Sequence, residues 1–309
     1  MGNVYEQNLG DPASALVSLG KALALAGPLA TRNPGDHEAF RALATAQEAR
    51  SEVLFGSGKT QDAIASMRDA TQTYDHLLAA QDPTPALICE VAAAYGTLGD
   101  ELGQSGTASL ADTPAALAAY RKTIELDHRA LEIDPNFLRA KRGLGLMLMK
   151  VGSVELDADP AQALKDFQSS LLRIEALPRA DQETLPTLRM HTMVLRKEAL
   201  ALKELGEYSQ AMPLFAAALG IHTRLVAADP KDLRAVADLA VVLDDQAGNY
   251  EDAADPTLRT LWEIGDGISV MPGTLSNRPR LLWINSCNRI PAMRSGKQIW
   301  PPSRCASPP

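Results

Sequence analysis

The stretch Phe55-Gly56-Ser57-Gly58-Lys59-Thr60 ends like a phosphate-binding loop, in which glycine amides cradle a phosphate and a lysine neutralises it. That motif requires a glycine five residues before Gly58, and the residue there is Val53. It also requires a strand ahead of the loop, whereas Glu38–Phe55 carries helical periodicity. A tight turn between two helices accounts for these residues, and no nucleotide site is assigned. The five histidines, His37, His76, His128, His191 and His222, include no pair three to five residues apart, so no helix offers paired metal ligands. The acid pairs Asp244-Asp245 and Glu251-Asp252 are adjacent and diverge around a helix, which does not suit general acid–base chemistry. Cys89, Cys287 and Cys305 are too few and too scattered for a disulfide framework or a zinc site, and Cys89, within Leu87-Ile88-Cys89, reads as a small buried residue. No catalytic, cofactor-binding or metal-ligating residue emerges.

The elements that would position any site are helices. Hydrophobic residues make up 46% of the 309 residues and aromatics only 5%, so strand formers are scarce beside alanine and leucine. No run of about 18 apolar residues stands out as a membrane span. Met1 to Asp11 lacks the basic and apolar segments of a signal peptide, so a cytoplasmic protein is expected. The net charge is −8, but residues 263–309 carry +4, which leaves −12 on the rest. Such an acidic body argues against a nucleic-acid backbone as partner.

An alanine follows a glycine by five residues at Gly10–Ala15, Gly58–Ala63, Gly206–Ala211 and Gly248–Ala253, and Ala116 and Ala163 are related positions with displaced glycines. Each alanine but the last opens a small–bulky–small line on one helix face: Ala15, Leu19, Ala22; Ala63, Met67, Ala70; Ala116, Tyr120, Thr123; Ala163, Phe167, Ser170; Ala211, Phe215, Ala218. Small residues admit a neighbouring backbone and the bulky one fills the gap. These helices should stop at Asn33-Pro34, Asp82-Pro83, Asp134-Pro135 and Asp229-Pro230, because proline disfavours helix at the residue before it. The stretches Glu38–Phe55, Ala86–Leu102, Phe137–Val151, Thr187–Leu205 and Leu233–Ala247 are then the first helices of successive pairs, with Gly58, Gly103, Gly152, Gly206 and Gly248 as left-handed caps. Ser105–Thr113 and Ser153–Asp159 read as insertions between the two helices of a pair.

The series Ala199, Gly206, Tyr208, Ala211, Phe215 and Ala218 resembles the tetratricopeptide repeat position by position. Pro230 falls later than in that family, which resembles its longer-helix, kinesin-light-chain-like type. The resemblance spans roughly residues 5–255 and implies an all-α, right-handed superhelical solenoid of about five helix pairs plus a broken sixth. Residues 1–262 would form this array. The segment Asn8-Leu9-Gly10-Asp11 through Asn33-Pro34 also resembles the repeat region of bacterial eukaryotic-type Ser/Thr kinases. The catalytic motifs of a kinase are absent, so that likeness implies a regulatory or scaffold fragment, or a Ser/Thr kinase as partner.

The family binds protein or peptide partners in a groove lined by first helices. Carried over from Ala211, the resemblance places Met193, Arg196, Leu200, Lys203 and Glu204 toward it. The same offset gives Asp238 and Asp245 from Ala253, and Glu48 and Glu52 from Ala63. The Lys and paired Asn residues of the family's carboxylate clamp are missing. The implied function is non-enzymatic protein–protein interaction, with no cofactor, nucleic acid or membrane.

Residues 263–309 hold seven prolines and two of the three tryptophans. Pro256 and Thr257 already break the sixth repeat, so the segment reads either as a basic, Trp-bearing binding tail or, as the abrupt change favours, as a coding frame lost near Trp262, and disorder is expected there on both readings.

Overall fold

The computed structural model describes residues 11–80, 82–103 and 109–253, and these are helices joined by short turns with no strand among them. In chain order the helices are α1 (Pro12–Arg32), α2 (His37–Gly56), α3 (Thr60–Ala80), α4 (Pro85–Gly103), α5 (Thr113–Ile133), α6 (Leu138–Glu155), α7 (Pro160–Glu175), α8 (Arg179–Gln182), α9 (Leu185–Glu204), α10 (Tyr208–Ala228) and α11 (Leu233–Ala253). The chain divides into two compact units, residues 1–197 and residues 198–309, with the division inside α9.

Local chemistry sets the helix ends. Asp11, Asp36, Asp112 and Asp159 each accept a hydrogen bond from the backbone N–H three residues on, which satisfies a donor the helix cannot. Prolines sit in the first turn of α1, α5 and α7, where a missing N–H costs nothing. Asn33, Asp134 and Asp229 end α1, α5 and α10 as the Asn-Pro and Asp-Pro steps require.

In the first unit each helix from α1 to α7 packs on its neighbour in the chain, and α4 also touches α6. Its core is a continuous cluster from α2 through α6, including Met67, Tyr74, Leu77, Leu87, Ile88, Val91 and Tyr120. Three small–bulky–small lines of this unit are buried, Ala63, Met67 and Ala70 on α3, Ala116, Tyr120 and Thr123 on α5, and Ala163, Phe167 and Ser170 on α7, whereas Ala15, Leu19 and Ala22 on α1 are only half-buried. Small hydroxyls on these lines donate to the first helix directly. Thr123 Oγ1 donates to the Ala92 carbonyl at 3.0 Å and Ser170 Oγ to the Gly145 carbonyl at 2.6 Å, which requires close backbone approach. In the second unit α10 packs on α11 around Val226, Ala235 and Leu239, with Ala211, Phe215 and Ala218 buried.

Three of the expected left-handed glycine caps are not left-handed. Among the described glycines only Gly58 (φ 75°) and Gly206 (φ 77°) have positive φ. Gly103 is the last residue of α4, where an added Cβ would lie 2.6 Å from the Ala116 methyl. Gly152 lies inside α6, because a Cβ there would lie 2.9 Å from the Phe167 ring, and the helix continues to Glu155. The supposed insertion at Ser153–Asp159 is therefore half helix. Gly248 lies inside α11, whose register is set by Asp232 at its start, where Oδ1 accepts from Ala235 N at 3.1 Å. The last glycine–alanine interval is thus not a turn. The link after α7 also contains the short helix α8.

Two helices, α1 and α10, have the length and a mean hydropathy of 1.4 that a membrane span would have, where the sequence had shown no such run. Alanine- and leucine-rich packing helices reach that value without facing lipid, and α10 buries its line inside the second unit. Residues 1–10, residues 105–108 at the start of the Ser105–Thr113 insertion, and residues 254–309, which include Pro256 and Thr257 of the broken sixth repeat and the segment 263–309, lie outside the described residues. So does the first part of the kinase-like segment.

Candidate functional site

The first helices of the first unit are linked by charged side chains. Arg41 on α2 meets Glu90 on α4 at 3.3 Å, and Lys150 on α6 pairs with Asp100 on α4. Asp100 also accepts from the Tyr120 hydroxyl at 2.8 Å, and the Lys150 ammonium lies 5.7 Å from the centre of the Tyr120 ring. The Tyr120 ring reaches this point because Gly99 has no side chain: an added Cβ would lie 2.4 Å from Tyr120 Cε1. Glu48 accepts from the Tyr74 hydroxyl at 3.2 Å. Burial pushes the Glu48 carboxyl above its ordinary value, the Tyr74 bond and Arg139 oppose that, and Glu52 and Glu90 add to it. Glu48, Glu52, Glu90 and Arg139 therefore share one electrostatic neighbourhood across α2, α4 and α6.

In the second unit Lys203 pairs with Asp252 at 2.9 Å. That hydrogen bond raises the lysine pKa against the cost of burial, with Glu204 and Asp245 contributing. Of the residues singled out from the sequence, Met193 (43% exposed) and Arg196 (half-buried) belong to the first-unit part of α9. Leu200, Lys203, Asp238 and Asp245 are half-buried in the second unit, and Glu48 (half-buried) and Glu52 (exposed) lie on α2. The structure brings Glu48 and Glu52 into one field, and Lys203 and Asp245 into another.

The sequence reading missed Arg41, Glu90, Asp100, Arg139 and Lys150. The longer connections before Ala116 and Ala163 shift any count made backward from the repeat alanine for α4 and α6, and Arg41 lies nearer the start of α2 than the counted positions Glu48 and Glu52. Counting forward from the helix start avoids the problem. Asp36 caps α2, and Thr84 Oγ1 accepts from Leu87 N at 3.2 Å at the start of α4, so both helices can be read in one register.

Burial, with Asp127 beside it, pushes the Cys89 thiol up to about 12, and its Sγ donates to Asp127 Oδ1 at 3.5 Å. Burial lowers the His191 pKa. Among the described residues no three His, Cys, Asp or Glu side chains gather as metal ligands would. The arrangement offers rows of mixed charge on neighbouring helices.

The fold has a solved counterpart. The crystal structure of BtubC (BKLC) from P. vanneervenii matches this chain with a TM-score of 0.54 at 16% identity, covering 96% of each chain. The likeness is one of fold, a helical repeat. No protein-family model and no curated protein matches the sequence.

Proposed function

We propose that this chain is a tetratricopeptide-like, non-enzymatic interaction scaffold that binds an extended or helical segment of a partner protein along its first helices. The observation that supports this most is the alignment of charged side chains from α2, α4 and α6, linked by Arg41–Glu90 and Asp100–Lys150. A surface assembled from equivalent positions of successive repeats can read a partner segment stepwise, with each repeat contributing a few contacts. Glu48 and Glu52 supply negative charge on α2, and Arg139 and Lys150 supply positive charge on α6, so a partner segment bearing both signs fits best. Arg196 on the first-unit part of α9 and, in the second unit, Lys203 with Asp238 and Asp245 would make contacts of the same kind.

The test begins with affinity capture from the source cells and mass spectrometry, followed by titration calorimetry with the purified partner. Arg41→Glu and Lys150→Glu on the first unit, and Arg196→Ala with Lys203→Ala on α9, should each weaken binding at least tenfold. Unchanged affinity in both pairs, with the fold intact by circular dichroism, would overturn this placement of the binding surface.

A further inference from the structure

Among the described helices, α1 in the first unit and α11 in the second each lack a neighbour of a particular kind. On α3, counted from Ala63, the residues Ser66, Ala70, Thr73 and Leu77 face the first helix α2. Ser66 Oγ donates to the Gln47 carbonyl at 2.8 Å, Thr73 Oγ1 donates to Gln47 Oε1 at 2.8 Å, and Ala70 and Leu77 are fully buried. On α5 the same places are Ala119, Thr123, Leu126 and Ala130, all buried. On α1, counted from Ala15, they are Ser18, Ala22, Leu25 and Leu29. There Leu25 is 71% exposed and Leu29 54% exposed, and Ser18 Oγ donates only to its own helix, at the Ser14 carbonyl. The side of α1 that should meet a first helix is open, and α2 alone packs on it among the described helices.

The other end shows the converse. Counted from the capping residues Asp36 and Thr84, the places that meet a second helix are Ala44, Gln47 and Ser51 on α2, and Ala92, Tyr95 and Gly99 on α4. Ser51 donates to the Ala63 carbonyl at 2.7 Å, and Gly99 lies under the Tyr120 ring. Ala44, Ser51 and Ala92 are buried. Counted likewise from Asp232, the places on α11 are Ala240, Leu243 and Ala247; all three are half-buried, Leu243 in part against the Val226–Ala235–Leu239 cluster, and no helix after α11 is among the described residues. The charges are complementary as well. Within α1 the only charged residues are Lys21 and Arg32, whereas α11 carries Asp238, Asp244 and Glu251 against Arg234, beside Asp245 and Asp252, which face Lys203. Asp244 and Glu251 are exposed beside the Ala240–Leu243–Ala247 face.

We propose that copies of this chain associate head to tail, with the Ser18–Ala22–Leu25–Leu29 face of α1 in one copy seated on the Ala240–Leu243–Ala247 face of α11 in the next. The contact rebuilds the helix pair that the interior repeats already make, small residue against small residue. The contact is heterologous, so each copy keeps one unused face and further copies can add. The oppositely charged flanks orient the two helices, and salt should weaken the contact.

Sedimentation velocity of the full chain tests this over a concentration series. The mass should rise above that of one 33.0 kDa chain with concentration and fall back at high salt. The double variant Leu25→Glu/Leu29→Glu blocks α1, and Leu243→Glu blocks α11; each alone should stay monomeric. Their equimolar mixture should form a heterodimer and stop there, because each partner retains one usable end. The exposed double variant Asp244→Lys/Glu251→Lys, which touches no core, should weaken assembly even if Leu243→Glu misfolds. Wild type that stays monomeric overturns the proposal. A dimer lost in the α1 variant but kept in both α11 variants also overturns it, since that is α1 pairing with α1. Co-sedimentation of monomeric wild type with phosphatidylcholine vesicles, lost in Leu25→Glu/Leu29→Glu, would overturn it in favour of a lipid surface on α1.

Discussion

Glu101 gives the sharpest test of how this array is held together. It lies on α4, 2% exposed, with Oε1 2.5 Å from Ser51 Oγ on α2 and Oε2 without a hydrogen-bond partner among the described residues. Ser51 has one proton and already donates to the Ala63 carbonyl at 2.7 Å. A carboxylate at Glu101 would compete with that carbonyl for the same proton. A neutral carboxylic acid would instead donate from Oε1 to Ser51 Oγ, which removes that competition and leaves only the uncharged Oε2 without a partner. Burial raises the Glu101 pKa from an ordinary 4.5 to about 7, with Ser51 opposing and Asp100 adding. The unfolded chain therefore ionises from about pH 4.5 and the folded one only near pH 7. Stability is lost as pH rises between those values, and above 7 the penalty is complete. At ~1.4 kcal/mol per pH unit, the loss between pH 5 and pH 8 is about 2–3 kcal/mol. Glu101→Gln stays neutral throughout and escapes it. Urea unfolding followed by far-UV circular dichroism should show the variant more stable than wild type at pH 8 by about that amount, and within about 1 kcal/mol of it at pH 5. Other titrating groups, Asp127 included, are common to both proteins and cancel in the difference. A wild-type-minus-variant difference that is the same at both pH values would refute the reasoning.

Two glycines should fail for opposite reasons. Gly99→Ala drives a methyl into the buried Tyr120 ring and should cost about 1–3 kcal/mol in thermal unfolding, part of it recovered by adding Tyr120→Leu. Gly206→Ala meets nothing within 4 Å, but its φ of 77° disfavours any Cβ, so a loss of about 1 kcal/mol is expected, with Gly206→Asn losing less.

The helices were legible because their signals are short-range. A capping aspartate, a proline in the first turn and an Asn-Pro or Asp-Pro stop act within a few residues, and the small–bulky–small line repeats on one face of each second helix. The candidate binding residues were legible only in part. Glu48 and Glu52 could be counted from Ala63, but Glu90, Asp100 and Lys150 stand on helices whose distance to the next alanine is lengthened by loops. Gly248 misled for a related reason: its spacing to Ala253 imitates the turn at Gly206, while the cap at Asp232 carries α11 straight through it.

By itself the sequence determined that the chain is a series of helices, where most of them stop, and which face of each second helix is small enough to be packed against. Only the tertiary structure decided what each glycine is for. Gly58 and Gly206 turn the backbone, whereas Gly99 and Gly152 make room for Tyr120 and Phe167. It also decided that Glu101 and Asp127, which look like ordinary surface acids in the sequence, are buried between helices, where burial raises both to about 7. Helix formation is governed by neighbours in the chain, but space and desolvation are set by residues 20 to 50 positions away, as Tyr120 is from Gly99 and Ser51 from Glu101.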